Sequence, residues 1–408
     1  MILDIINKKR LGMKLTYKEL DYFFNGYLSG DIADYQMSAL LMAICINGMS
    51  DEEVYALTKI FIDSGDVLNF DDLPGIKVDK HSTGGIGDKT TLVIVPIVAA
   101  CGGTIIKTSG RGLGYTGGTI DKLESIPGYR IDLSDSEIEK QVRDIGFVIT
   151  GQTGDLVPMD KAIYALRDVT STVSSIPLIA SSIMSKKIAG GSDKILIDIK
   201  VGNGALIKNR EEAKELSNLM KNIGKFYDRE VRTIISDMNT PLGFAIGNAL
   251  EVEEAMDVLK GKEVNNPFVD LCIELASDLV SMSLSISFDE AKEKVIEVIK
   301  NKSAYNKFLE LVKRQGGDIS KLKISDKTYK IKSDVDGTIS KINALEFGKL
   351  SLRLGAGKEK VTDKIDYSVG IKLNKLIGDK VKKGEVLATL YYKKDIPEVK
   401  ISNIYKFD

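Results

Sequence analysis

Apolar positions recur at helical spacing over residues 1–65, and after residue 76 they gather into short runs of strand length. Thr16-x-x-Glu19 and Ser50-x-x-Glu53 each precede such a helical run, the capping-box pattern of a helix start. Gly26, Gly30 and Gly48 punctuate this region. Residues 63–75, DSGDVLNFDDLPG, carry acids, Gly and Pro without a period and read as a linker or hinge. From residue 76, IKVD, TIIKT (104–108), FVIT (147–150), KILIDIKVG (194–202) and VRTIISDM (231–238) read as strands separated by helix-period sequence. That alternation predicts a mostly parallel α/β sheet, which binds ligands at the carboxyl ends of its strands.

Two stretches depart from the alternation. MDKAIYALRDVT and IPLIASSIMSKKIAGG, within residues 158–190, are helix-like and are expected to pack with the N-terminal helices. SDVDGTISKIN (333–343) and IGDKVKKGEVLATL (377–390) read as short strands, similar to the two halves of a biotinyl/lipoyl-type hammerhead. A carrier of that type needs a lysine in a tight hairpin, usually beside methionines, and neither segment has that motif. A structural module is therefore expected. The expected architecture is a multidomain α/β protein. A discontinuous all-helical domain takes residues 1–65 plus about 158–192. A mostly parallel α/β sheet domain takes about 75–157 plus 193–327, and a small C-terminal α+β domain takes about 328–408.

Charge adds little. Lys plus Arg number 57 against 58 for Asp plus Glu, and the charges are scattered, so nothing points to a nucleic-acid partner. Cys45, Cys101 and Cys272 are far apart and sit in apolar runs, which suits free buried thiols rather than disulfides or zinc. The start, MILDIINKKR, lacks signal-peptide order, and the longest apolar run, LVIVPIVAAC (92–101), is too short for a membrane span. A cytoplasmic protein with no membrane partner is expected.

The chemistry concentrates in two glycine loops. DKHSTGGIGD and TSGRGLGYTGGT both follow strands and precede helices. Glycines admit a ligand close to the backbone, and the N–H groups opening the next helix suit an anion. Ser82, Thr83, Thr90, Thr91, Ser109, Thr116 and Thr119 add neutral donors, and Lys80 and Lys107 add positive charge. A Walker loop requires its lysine directly after a glycine, and here the lysine follows Asp88. The dinucleotide pattern would start at Gly110, but position 115 is Tyr. The expected anion is free phosphate or a sugar phosphate. His81, the single histidine of 408 residues, stands beside this site, and histidine ordinarily titrates at about 6.5, which suits proton donation near neutral pH.

KHSTGGIGD (80–88), SGRGLGYTGGTIDKLESIPG (109–128), GQTGDLVPMDKAIYALRDVTSTVSSIPLIASSIMSKK (151–187) and SDMNTPLGFAIGNALEV (236–252) resemble the pyrimidine and thymidine nucleoside phosphorylases. LIASSIMSKK looks more like the broad bacterial pyrimidine enzymes. The resemblance spans essentially the whole chain. It implies the nucleoside phosphorylase/phosphoribosyltransferase fold, a homodimer built through the helical domains, and phosphorolysis of uridine, deoxyuridine and thymidine. Inorganic phosphate would be the co-substrate, with no organic cofactor, and free base and α-pentose 1-phosphate the products. By motif position it places phosphate on Lys80, Ser82, Thr91, Lys107, Ser109 and Thr119. The base falls to Arg167, Ser182 and Lys186, with apolar contact from Leu113, Ile179 and Ile183. His81, Arg167 and Lys186 would carry the catalysis, His81 near the O2 carbonyl.

Two positions depart from the pattern. Tyr115 stands where many members have histidine, and a phenol is a poor acid at neutral pH. Lys89 stands in a stretch that, with Gly87, Leu242, Ala245 and Glu254, resembles a potassium site of bacterial members. Either potassium binds there, or the Lys89 ammonium takes the site and pairs with Glu254. The competing enzyme class is a phosphoribosyltransferase of the anthranilate type, which handles a diphosphate with magnesium. A non-catalytic carrier is the competing non-enzyme class.

Overall fold

The computed structural model describes residues 1–112, 115, 117–151, 156–262, 266–358 and 363–408. The chain opens with four helices, α1 (Ile2–Arg10), α2 (Tyr17–Ser29), α3 (Asp34–Asn47) and α4 (Asp51–Asp63). Thr16 and Ser50 cap α2 and α4. Each hydroxyl accepts the N–H of the glutamate three residues on, and that glutamate reaches back to the cap N–H. Glu53 also accepts the buried Lys9 ammonium at 2.8 Å and the Leu15 N–H at 2.8 Å, which ties α1 to the start of α4. Thr16 serves only an exposed helix start. Thr16→Ala is expected to lower stability by about 1 kcal/mol, read as a lower urea midpoint at unchanged slope.

The α/β region follows as β1 (Lys77–Ser82), α5 (Thr90–Ala100), β2 (Thr104–Ser109), α6 (Thr119–Glu124), α7 (Asp135–Ile145) and β3 (Phe147–Gly151). It continues through α8 (Pro158–Val169), α9 (Ile176–Ala189), β4 (Lys194–Val201), α10 (Arg210–Phe226) and β5 (Glu230–Asp237). The five strands form one mostly parallel sheet in the order β3-β2-β1-β4-β5. β2 and β3 pair in parallel from Ile105 opposite Phe147 to Ser109 opposite Gly151. All of the run LVIVPIVAAC but its last residue lies on α5, which is apolar on every side and buried from Thr90 to Ala99, a core helix. Helix α9 packs on α4, and α8 packs on α2, α3 and α4.

The short β6 (Ala245–Ile246) leads into α11 (Asn248–Leu259), α12 (Pro267–Leu284), α13 (Phe288–Lys300) and α14 (Ser303–Arg314). The small C-terminal domain contributes β7 (Thr328–Lys332), β8 (Gly337–Ile342), α15 (Ala344–Ser351), β9 (Gly370–Leu373), β10 (Lys380–Val381), β11 (Val386–Tyr391) and β12 (Tyr405–Phe407). Its strands form antiparallel sheets ordered β10-β8-β12 and β6-β9-β11-β7. Nothing in the linear pattern marks β6, which joins this second sheet by pairing Ala245 with Lys372 and Ile246 with Ile371. Among the described residues no single helix is long and apolar enough to cross a membrane.

Two compact units result. One comprises Met1–His81, Thr153–Ile197 and Asn209–Thr233, the other Ser82–Gln152, Asp198–Lys208 and Ile234–Asp408.

Candidate functional site

In the first unit the polar residues of α8 and α9 converge. Ser182 and Lys186 lie one turn apart on α9, the spacing at which helical side chains meet. The Lys186 ammonium donates to Ser182 Oγ at 2.9 Å and to Asp160 Oδ2 at 2.6 Å. It also lies 5.8 Å from the Tyr164 ring centroid, and Arg167 sits 5.6 Å from the same centroid. Ile179 and Ile183 are buried on α9. Asp160 is a member of this cluster that sequence reading missed. An acid in the first turn of a helix is common, and only its pairing with α9 marks it.

Arg167 is anchored by backbone carbonyls. Its Nε donates to Thr172 O at 3.3 Å, one terminal nitrogen to Leu178 O at 3.2 Å and the other to Val173 O at 2.8 Å. The side chain clamps the α8–α9 turn with three of its five N–H donors and is only 1% exposed. Burial pushes its pKa below the ordinary value, with Asp160 and Tyr164 acting against that shift. Burial also raises the Tyr164 phenol.

Lys80 and His81 are strand residues rather than members of the glycine turn, because β1 continues to Ser82. Lys80 is buried, and its N–H donates to Asp79 Oδ1 at 2.7 Å. Asp79 in turn accepts the buried Lys187 ammonium at 2.6 Å. His81 is half-buried.

The second unit begins with Ser82, the last residue of β1, and includes Ser109, the last residue of β2. The Ser82 hydroxyl donates to Asp88 Oδ2 and accepts the Gly84 N–H at 3.2 Å. Asp88 Oδ1 accepts the Thr90 hydroxyl at 2.6 Å. Asp88 is thus the organiser of the first glycine loop, another residue missed from sequence. Lys200 is fully buried, 2.7 Å from Asp198. Burial lowers its pKa, but the Asp198 and Asp88 carboxylates outweigh burial and raise it. Thr91 is buried on α5, and the Lys107 ammonium donates to Thr108 O at 2.6 Å. Thr119 opens α6. In the second glycine loop Asp121 accepts the N–H of Gly112 at 2.6 Å and of Gly118 at 3.1 Å. Leu113 and Thr116 lie outside the described residues. Tyr115 lines a small cavity with Gly117, Asn248 and Glu251.

The oxygens expected around potassium hold an ammonium instead. Lys89 Nζ lies 2.5 Å from Leu242 O, 3.1 Å from Ala245 O and 2.6 Å from Glu254 Oε2. Three acceptors meet three ammonium protons, so the donor set is saturated. Glu254 further accepts the N–H of Phe244 and of Ala245, each at 2.7 Å, and the Phe268 ring centroid lies 4.7 Å from Nζ. Gly87 permits the close approach: a Cβ there would fall 2.8 Å from Leu242 O, at a φ of +74°. The Gly87 carbonyl accepts the Lys89 N–H at 3.0 Å. A potassium ion does not fit beside this lysine.

Comparison with known proteins gives a consistent result across the chain. Residues 3–65 match the helical bundle domain and residues 75–305 the a/b domain of the glycosyl transferase family. Residues 338–406 match the pyrimidine nucleoside phosphorylase C-terminal domain. The chain is 49% identical over 397 residues to a pyrimidine-nucleoside phosphorylase of Staphylococcus haemolyticus, covering 96% of this chain and 92% of that protein. It is 49% identical over 411 residues to that of Bacillus subtilis, covering 99% and 95%. Among solved structures, anthranilate phosphoribosyltransferase from Thermus thermophilus aligns with a TM-score of 0.60 at 16% identity, over 76% of this chain and 99% of that one. That likeness concerns the fold.

Proposed function

This chain belongs to the pyrimidine-nucleoside phosphorylases of the glycosyl transferase family, and from that premise we propose that it catalyses the reversible phosphorolysis of uridine, deoxyuridine and thymidine. Inorganic phosphate is the co-substrate, and free base and α-D-pentose 1-phosphate are the products. The observation that carries this reading is the near-half identity to enzymes of that name along the whole chain. The polar cluster on α8 and α9 supports it.

Phosphate attacks C1′ as the glycosidic bond breaks, so the sugar takes on oxocarbenium character and the bond pair leaves with the base. Charge gathers on the pyrimidine ring and its carbonyl oxygens. Lys186 and Arg167 supply the positive charge that stabilises it, and Ser182 supplies a hydroxyl to the ring edge. His81 hands a proton or hydrogen bond to the O2 carbonyl. Lys80, Ser82, Thr91, Lys107, Ser109 and Thr119 hold the phosphate. The Ser82 proton, committed to Asp88 in this state, turns toward the incoming anion. Lys89 serves as an internal cation in place of potassium. The enzyme acts as a cytoplasmic homodimer joined through the helical region, where exposed Leu3, Leu11, Met42 and Ile46 offer apolar surface.

Base release from the three nucleosides, with and without phosphate in magnesium-free buffer, tests the reading. Phosphate-dependent release with pentose 1-phosphate formed is expected. Release that needs phosphoribosyl diphosphate and magnesium would replace it with the transferase reading.

A further inference from the structure

Two consecutive lysines on α9 pair with carboxylates in different ways. Lys187 and Asp79 lie 2.6 Å apart with side chains 3% and 2% exposed, a closed internal staple. Lys186 and Asp160 also lie 2.6 Å apart, but here the lysine side chain is 16% exposed over a carboxylate that is 4% exposed. Asp160 lies behind, and the ammonium is the open end.

The protons can be counted. Of the three on Lys186 Nζ, one goes to Asp160 and one to Ser182 Oγ. Among the described residues the third has no protein acceptor. Asp160 Oδ1 likewise has no hydrogen-bond partner there, although the atom is buried. Buried carboxylate oxygens are ordinarily satisfied, so an isolated structural pair is a poor description of this arrangement. A residue kept only to complement the α8 dipole would not need its second oxygen under α9.

We propose that Asp160 is a positioning residue for the pyrimidine, acting through Lys186. It fixes the ammonium so that the uncommitted proton meets a carbonyl oxygen of the base. It also offsets one of two cations. Arg167 and Lys186 with Asp160 leave the cluster with a net charge of +1, the complement of the single negative charge on a departing pyrimidine. An uncompensated pair of cations would hold an anionic base too long after bond cleavage. This inference rests on the phosphorolysis reading.

A double-mutant cycle separates action through Lys186 from a structural role. Asp160→Asn keeps the shape and an acceptor but removes the charge. Misplacing a catalytic contact by an ångström costs on the order of a hundredfold, so uridine phosphorolysis by Asp160→Asn is expected to fall roughly ten- to a hundredfold in kcat, with the KM for phosphate unchanged. In a Lys186→Met background the same change is expected to cost less than about threefold, because the group it acts through is gone. Asp160→Glu, which keeps the charge one methylene further out, is expected to retain more kcat than Asn and serves if the Asn variant fails to fold. Equal losses from Asp160→Asn in both backgrounds would overturn the proposal, as would Glu performing no better than Asn. Absence of phosphate-dependent release by the unmodified enzyme, measured alongside, would instead overturn the phosphorolysis reading.

Discussion

Base release is expected to run at the same rate in potassium, sodium and tetramethylammonium buffers, and Lys89→Met is expected to lose about 3–5 kcal/mol of stability. Both outcomes come from one cluster. The Lys89 side chain is fully buried, and its ammonium meets two carbonyls and the 7%-exposed Glu254. Removing the lysine leaves a carboxylate that has lost its charge partner in a site closed to water, and leaves two carbonyls that have lost a donor. Glu254 keeps its N–H bonds to Phe244 and Ala245, so the loss is that of breaking a buried pair and not of dismantling the loop.

A second variant separates charge from fold. Lys89→Thr empties the ammonium position without filling it with methylenes. The oxygens of Leu242, Ala245 and Glu254 then face one another and suit a monovalent cation. Adding potassium is therefore expected to restore part of the melting temperature of Lys89→Thr and none of Lys89→Met. The unmodified enzyme should not respond. A clear potassium dependence of the unmodified enzyme would show that the ammonium does not stand in for the ion.

The contrast between Lys89 and Asp160 shows what a linear reading can reach. Strands such as TIIKT and FVIT are legible because each is a short apolar run between glycine-bearing turns, and they appear as β2 and β3. The helix starts at Thr16 and Ser50 are legible because a capping box is complete within four residues. Lys89 is legible only through the resemblance to a potassium site, because the carbonyls it meets lie 153 and 156 residues away. Asp160 and Asp88 drew no attention because an acid near a helix start is ordinary. Only the fold shows one beneath Lys186 and the other accepting from Ser82 and Thr90. Arg167 marks the opposite case. Its position was read from a motif as a base ligand, and its guanidinium proves to be the clamp of the α8–α9 turn as well. Two residues of β6 carry no periodicity at all. Their pairing is imposed by β9, more than 120 residues on.

His81→Ala is expected to lower kcat by roughly 10²–10⁴-fold, the usual contribution of a general acid, while the protein melts within a few degrees of the unmodified enzyme. The second expectation follows from the position of His81 next to the end of β1, half-buried and outside the apolar core. The size of the first depends on the leaving group, and that dependence is the sharper measurement. A pyrimidine leaving as its anion needs a proton, or a hydrogen bond approaching one, in proportion to its basicity. Electron-withdrawing substituents at C5 make the ring a better leaving group and reduce that need. The loss caused by His81→Ala should therefore shrink along the series thymidine, deoxyuridine, 5-fluorodeoxyuridine. If the imidazole only packs against the glycine turn, the three substrates should lose the same factor. A common factor, or near-normal turnover of all three, would remove His81 from the chemistry and leave Lys186 and Arg167 to carry the departing charge without a proton donor.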